Sequence, residues 1–471
     1  MISFLFNDRD YSTSLPPGAV VLDMIRGEAG MTGTREGCRE GDCGACTVLL
    51  GEAFEEGVSY LAVNSCILPA GELEDRHLVT IEGLTPDRNM SPVQRAFVDN
   101  GASQCGFCTP GMIVSLTGYL LSVLHPDTQG AIASLGGNIC RCTGYLSVRR
   151  AADEVVRAVG SSPARFPGDT AHLGFLVERG VLPRYFADVP DRLPVLSGSA
   201  VRPGEPATVM VGGGTDIFAT ESGEMKDRKL TFLLRDGSLR GTRREGGRVV
   251  LGGSTTVTDL ISSGVLKMGD LHRSMELVSS AQVRNRATVA GNIVNASPIG
   301  DLSIILLALD ADVGIRGREG WRKTRLKDFF TGYREILMEE GEILETVSFP
   351  EPGPCDRYSF EKVSMRRHLD IASVNTACRI RSADGMIESA SISAGGVAPI
   401  PLYLSRTSSW LAGRGVCEDT VLGAAEMAMD ESRTIDDVRG SAEYKRLLLG
   451  RLVRAHFIKL FPECDEGGLT S

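Results

Sequence analysis

The chain has 471 residues, 42% of them hydrophobic and 23% charged, with a net charge of −10. That length has room for about three or four domains, and the composition is ordinary for a globular protein. The acidic balance argues against nucleic-acid binding, which depends on Lys and Arg neutralising phosphates. No apolar run reaches the ~18 residues of a membrane span; the longest candidate, Leu302 to Ile315, is broken by Asp310 and Asp312. Asp8, Arg9 and Asp10 interrupt the apolar core that a signal peptide would need. A cytoplasmic protein with no membrane contact is therefore expected.

In chain order, residues 1–78 are expected to form a strand-rich domain, with short apolar stretches between Gly and charged turns. It carries Cys38-x4-Cys43-x2-Cys46, followed after nineteen residues by Cys66. Dense cysteine in a cytoplasmic chain points to metal ligation rather than disulfides. The spacing is that of a plant-type [2Fe–2S] site. Three thiolates on one loop can wrap a small cluster only where the backbone turns tightly, and Gly37, Gly41 and Gly44 supply residues without Cβ. Backbone N–H groups aimed at sulfur would then tune the potential. A structural zinc site is the alternative, but this spacing suits zinc poorly.

Residues 79–160 are expected to be helical. Ile113, Leu116, Leu120, Val123 and Leu124 share one helix face, and Val148, Ala151, Ala152, Val155 and Val159 another. Cys105-x2-Cys108 and Cys140-x-Cys142 each precede a helix, with Thr109 and Pro110 as cap and first position of one. Two helix N-termini would set partial positive charge against an anionic cluster. By itself this pattern also fits zinc; beside a ferredoxin-like module, a second [2Fe–2S] cluster is the better reading. Cys355, Cys378, Cys417 and Cys464 have no partner at ligand spacing and read as ordinary thiols.

Residues 161–205 contain Pro, Ser and Gly and read as a surface linker. From about Thr208 to Pro350, β-rich segments such as Val209–Val211 and Val249–Leu251 alternate with Gly turns. G-x-G-x-x-G is absent, so a Rossmann site lacks support. Instead Val211-Gly212-Gly213-Gly214-Thr215-Asp216 follows a predicted strand, where glycines let a backbone approach a pyrophosphate. A plain Gly-rich turn explains it equally well. Thr288-Val289-Ala290-Gly291-Asn292-Ile293, running on to Asp301, combines small residues, an amide and a carboxylate, as a cradle for a polar cofactor or as a polar loop between strands. Residues 351–471 are expected to be α+β, ending in a basic amphipathic helix near Tyr444 to Leu460.

The stretches GTREGCREGDCGACTV, QCGFCTPG and GGNICRCTGY, in this order, resemble the iron–sulfur region of the molybdenum hydroxylases: xanthine dehydrogenases, aldehyde oxidoreductases and their relatives. The two Gly- and Asn-containing segments are similar to the FAD domain of the same family, and Pro183-Arg184-Tyr185-Phe186 resembles the small subunits of its bacterial xanthine dehydrogenases. The resemblance implies an α+β multidomain chain. Its parts would be a ferredoxin-like β-grasp domain (1–78), a four-helix [2Fe–2S] domain (79–160), a linker (161–205), a non-Rossmann α+β FAD-binding domain (206–350) and a C-terminal α+β domain (351–471). Cys38, Cys43, Cys46 and Cys66 would hold one cluster and Cys105, Cys108, Cys140 and Cys142 the other, with Gln104 near a pterin held elsewhere. Gly213, Gly214, Thr215, Thr288, Gly291 and Asn292 would contact the FAD pyrophosphate, flanked by Gly212 and Asp216. Asp301 would lie near the adenosine or ribityl part, and Leu344 and Lys362 near the isoalloxazine. The loop Met365 to Ile371, with His368 and Asp370, resembles the segment beside the flavin that influences the choice of NAD⁺ or O₂. One departure is Leu146-Ser147-Val148, where relatives usually carry a proline; it bears on the helix entry and not on the ligands.

The implied function is electron transfer, with no catalytic residue of its own. Electrons from a molybdopterin-binding large subunit would pass through two [2Fe–2S] clusters to FAD and then to NAD, within a dimer of heterodimers. Two other readings stay open. One is the same relay in a hydroxylase of aldehydes or other N-heterocycles; the other is a free-standing iron–sulfur flavoprotein.

Overall fold

A computed structural model describes residues 1–85, 89–195, 208–266, 268–366 and 368–462. Helices and strands are mixed throughout. The chain divides into two compact units: Met1–Ser199 with Gly214–Arg235 and Ser280–Arg286, and Ala200–Gly213 with Asp236–Ser279 and Ala287–Ser471. Two short segments of the expected flavin domain, Gly214–Arg235 and Ser280–Arg286, belong to the first unit.

The first unit is built on strands β1 (Ile2–Phe6), β2 (Arg9–Thr13), β3 (Thr47–Phe54), β4 (Gly57–Asn64) and β5 (His77–Val79), ordered β2-β1-β5-β3-β4. β1 and β5 run parallel; the other pairs are antiparallel. Side chains alternate across a strand, and here both faces are buried. Leu49, Val58 and Val79 join the core shared with the helices, while Val48, Leu50, Val63 and Leu78 pack on Val21, Met24 and Ile25. Double burial pins the register, since a one-residue slip would exchange the two cores.

Four helices follow. Pro92–Asp99 begins with a capping box in which Ser91 and Gln94 satisfy each other's backbone N–H. Thr109–Ser122 ends one residue before Val123, so Val123 and Leu124 lie past the helix face expected for them. Its N-cap is Cys108 rather than Thr109, and no side chain caps it. Thr128–Ser134 is short. Leu146–Val159 buries Val148, Ala151, Ala152, Val155 and Val159, as its periodicity predicts. It starts after Tyr145, whose φ of 66° is left-handed, at the point where the expected proline is missing.

The expected linker is more than a connector. Residues Thr170–Glu178 and Val189–Arg192 are helical, and Leu173, Leu176, Val181, Leu182, Phe186 and Val189 enter the core of the first unit. Phe186 lies 5.5 Å from both Tyr60 and His77 between ring centroids, and the Tyr185 hydroxyl donates to the Gly83 carbonyl at 3.0 Å. Pro and Gly punctuation masked these apolar residues in the sequence. Residues 196–205 of that stretch lie outside the described residues.

The second unit holds an antiparallel sheet in the order Gly320–Arg325, Asp312–Gly317, Ile343–Pro350, Arg248–Gly252, Thr242–Glu245. The expectation of a β-rich 208–350 needs correction, because Val257–Ser262, Gly269–Glu276, Val289–Val294 and Asp301–Ala308 are helices. Residues Leu302 to Ala308 are all buried, so the helix shows no polar face to betray its period. A second antiparallel sheet runs Asp356–Val363, Val374–Ala383, Met386–Gly395, Leu402–Tyr403. Helices Glu418–Glu431 and Ala442–Leu460 share a core with it. The last is the expected basic helix, yet it buries Lys445, which donates to the Ile435 carbonyl at 3.1 Å and pairs with Asp437 at 2.6 Å.

Candidate redox site

The loop from Cys38 to Cys46 is shaped by left-handed residues: Arg39 (φ 63°), Gly41 (φ 80°) and Gly44 (φ 66°). These turns fold backbone N–H groups inward. The Cys38 sulfur accepts from Glu40 N at 3.4 Å, Asp42 N at 3.3 Å and Cys43 N at 3.3 Å, and Cys38 N donates to the Cys43 sulfur at 3.4 Å. Asn64, two residues before Cys66, donates to the Gly41 carbonyl at 2.6 Å and closes the loop against β4. Among the described residues, no group of three or more His, Cys, Asp or Glu is set for a single metal ion; the cysteines meet as thiol pairs. The Cys43 thiol hydrogen-bonds Cys38 and holds it down at about 5 against the effect of burial. The same contact pushes Cys43 up. Cys46 and Cys66 repeat the pattern: the Cys66 thiol lowers Cys46, and that contact together with burial raises Cys66.

The other four cysteines also converge. Cys105 is held down by the Phe107 backbone N–H and by Cys142, and Cys142 is raised by Cys105. Burial pushes Cys108 up to about 12, aided by its contact with Cys140. Burial opposes ionisation of Cys140 too, but hydrogen bonds from Thr143, the Cys142 backbone and the Cys108 thiol outweigh it. The Cys140 sulfur lies 3.2 Å from Thr143 Oγ1, and Cys140 N donates to the Tyr145 hydroxyl at 2.8 Å. Thiols gathered with inward N–H and O–H donors suit a negatively charged thiolate-held cluster. Gln104, beside Cys105, lies on the exposed surface of this unit. Cys378 is buried in the second unit and pushed up by burial, while Cys355 and Cys417 are exposed; Cys464 lies outside the described residues.

The expected flavin residues divide between the units. Gly214, Thr215 and Asp216 belong to the first, and Gly212, Gly213, Thr288, Gly291, Asn292, Asp301, Leu344 and Lys362 to the second. Within the second, Thr288 caps Val289–Val294 by accepting from Gly291 N at 3.0 Å. A Cβ on Gly212 would lie 2.7 Å from the Thr288 hydroxyl, so only glycine leaves that backbone open beside it. Asn292 Oδ1 accepts from Ser303 Oγ at 3.4 Å. Asp301 and Lys362 pair with each other at 2.6 Å, and Lys362 also donates to the Leu277 carbonyl at 3.3 Å. Burial raises the Asp301 carboxyl. The Leu344 side chain sits in the core. Its carbonyl would lie 2.2 Å from a Cβ on Gly253. In the loop Met365 to Ile371, Asp370 accepts from Arg366 N at 2.7 Å, Met365 is exposed, and residue 367 is outside the described set.

Sequence reasoning passed over three buried amides. Asn375 donates to Asp301 Oδ1 at 2.5 Å and to the Ile299 carbonyl at 3.2 Å. Its signal was a lone amide inside the apolar strand Val374–Ala383. Asn138 and Gln282 bond to one another at 3.2 Å in the first unit; Asn138 stood in plain view two residues before Cys140, and Gln282 had no signal.

Residues 80–153 match a [2Fe-2S] binding domain, 195–352 the FAD binding domain in molybdopterin dehydrogenase, and 359–460 the CO dehydrogenase flavoprotein C-terminal domain. Xanthine dehydrogenase of Emericella nidulans is 26% identical over 89% of this chain and 35% of its own length. Xanthine dehydrogenase 1 of Arabidopsis thaliana is 27% identical over 95% of this chain and 38% of its own. The chain thus spans little more than a third of these relatives. Among solved structures, a carbon monoxide dehydrogenase from Hydrogenophaga pseudoflava that lacks the Mo-pyranopterin moiety matches 55% of this chain and 91% of its own. Its identity is 27% and its TM-score 0.52. A [2Fe–2S] domain, an FAD domain and a flavoprotein C-terminal domain, following one another in this order beside xanthine dehydrogenase relatives, fit the iron–sulfur and flavin subunit of a molybdenum hydroxylase.

Proposed function

We propose that the chain is the electron relay of a xanthine-dehydrogenase-like molybdenum hydroxylase. Electrons enter from a molybdopterin-bearing partner and leave from FAD to NAD⁺. The observation that carries this reading is the gathering of eight cysteines into two donor-rich sets beside a flavin domain of this family. Cys38, Cys43, Cys46 and Cys66 hold one [2Fe–2S] cluster, and Cys105, Cys108, Cys140 and Cys142 hold the second. The sheet order β2-β1-β5-β3-β4 supports the ferredoxin-like β-grasp assignment of residues 1–78. Gly212, Gly213, Gly214, Thr215, Asp216, Thr288, Gly291 and Asn292 serve the FAD pyrophosphate, and Asp301, Leu344 and Lys362 the rest of the cofactor. Bound clusters and flavin supply one-electron and two-electron redox chemistry respectively. The protein's share is to hold thiolates with N–H donors and fix their order.

The test uses the chain with and without its molybdenum partner. Alone, it should reduce a dye with NADH and leave xanthine untouched; with the partner, xanthine-dependent NADH formation should appear. Cys43→Ser should cut the second activity and spare the first. Xanthine oxidation by the chain alone, or loss of both activities in a folded, FAD-loaded Cys43→Ser protein, contradicts the proposal.

A further inference from the structure

We propose that Asn138, held by Gln282, is a positioning residue that fastens the loop of the first cysteine set to the loop of the second, so that a change at this one amide is felt by both. The inference rests on the two-cluster reading above. Asn138 and Ile139 directly precede Cys140 in the chain. Ile139 N donates to the Cys43 carbonyl at 3.0 Å, and Asn138 Nδ2 donates to the Gly44 carbonyl at 2.9 Å. Successive carbonyls between Cys43 and Cys46 therefore answer to the two residues that lead into Cys140. A single hydrogen bond joins the Cys43 peptide to the segment carrying Cys140.

The amide is fixed from behind. The two N–H groups of Gln282 Nε2 are shared among three acceptors: Asn138 Oδ1 at 3.2 Å, Ser115 Oγ at 2.8 Å and the Ser134 carbonyl at 3.1 Å. Asn138 is 3% exposed and Gln282 1% exposed, so water does not compete for these bonds. The approach depends on missing side chains: a Cβ on Gly111 would lie 2.2 Å from the Gly44 carbonyl oxygen, and one on Gly137 would lie 2.0 Å from Gln282 Oε1.

Removing the amide need not unfold the site. The Gly44 carbonyl still accepts from Thr47 Oγ1 at 2.7 Å, and Gln282 keeps Ser115 and Ser134. What disappears is the tie between the loops. Asn138→Asp is the sharper variant, because it keeps the shape but sets a carboxylate oxygen against the Gly44 carbonyl where a donor stood.

The experiment compares iron content and low-temperature EPR of the reduced full chain in wild type, Asn138→Asp, Asn138→Ala and Gln282→Met. Asn100→Ala is the control, since Asn100 ties the Ala96 carbonyl to Glu154 elsewhere in the same unit. Iron content should be retained in Asn138→Ala and Gln282→Met, with shifted g-values in both cluster signals and the largest shift in Asn138→Asp. The control should match wild type. Wild-type spectra in Asn138→Asp, or a shift confined to one signal, overturns the proposal. Should Asn138→Asp fail to fold, Gln282→Met decides in the same way. A wild-type chain that carries zinc or gives one signal defeats the two-cluster reading instead, and is told apart by that result.

Discussion

Glu72 offers the most direct energetic test of the first unit. Its side chain is fully buried between Arg76, with which it forms a very close ion pair, and Arg286, 3.3 Å away. Burial pushes the carboxyl up, but Arg286, Arg76 and Arg235 overcome it and bring it from 4.5 to about 2. At about 1.4 kcal/mol per pKa unit, the ionised carboxylate contributes roughly 3 kcal/mol at neutral pH. A carboxyl held lower in the folded than in the unfolded state keeps that contribution above pH 4.5 and loses it as pH falls toward about 2. Glu72→Gln preserves the shape but takes the carboxylate away from buried Arg286 and Arg76, of which Arg76 keeps Glu52 at 2.7 Å; removing one partner of a buried ion pair typically costs ~3–5 kcal/mol. Hydrogen exchange of β1 and β5 amides in graded urea reads the effect, because Leu5 N donates to the Arg76 carbonyl and Asn7 N to the Leu78 carbonyl. Arg157→Ala, which breaks an exposed pair with Asp153, should cost under ~1 kcal/mol in the same assay. A Glu72→Gln protein within ~1 kcal/mol of wild type would refute the reasoning.

His77 is buried and neutral, with its pKa lowered by burial to about 3, so the unfolded chain binds a proton that the folded one refuses. The first unit should therefore lose about 2 kcal/mol between pH 7 and pH 5 in the same exchange assay, and His77→Gln should flatten that slope. Gly44→Ala places a Cβ 2.3 Å from the Gly137 carbonyl at a φ of 66°, and should lower iron content per chain. Gly101→Ala, at a φ of 62° with nothing within 4 Å, should leave it unchanged. Thr215→Ala with Asn292→Ala should lower FAD occupancy without changing iron content, at about 1–3 kcal/mol per lost polar contact; full flavin retention would mean that the motif is not a cofactor contact.

The convergence of the first eight cysteines was the most legible part of the sequence, because their spacing is local and few other constraints produce it. Helix faces such as Val148 to Val159 were legible for the same reason: their period is complete within one element. What stayed hidden depends on partners distant in sequence. The burial of Phe186 against Tyr60 and His77 turns apparent linker into core, and no local pattern announces it. Leu302 to Ala308 is apolar on every side, so its helical state had no contrast to display. Asp301 and Lys362 were assigned to different parts of a flavin by resemblance; the fold pairs them, with Asn375 completing the carboxylate's shell. The Asn138–Gln282 amide pair spans 144 residues and is visible only once the chain is folded.

The central claim, that this chain is a relay with two clusters and a flavin, is tested most directly by an anaerobic reductive titration of the purified chain, followed by visible absorbance and EPR. Each [2Fe–2S] cluster takes up one electron and the flavin two. The account predicts four electron equivalents per chain, with two distinct cluster signals and full flavin bleaching. Uptake of three or fewer electrons, with zinc in place of iron at either cysteine set, would contradict it.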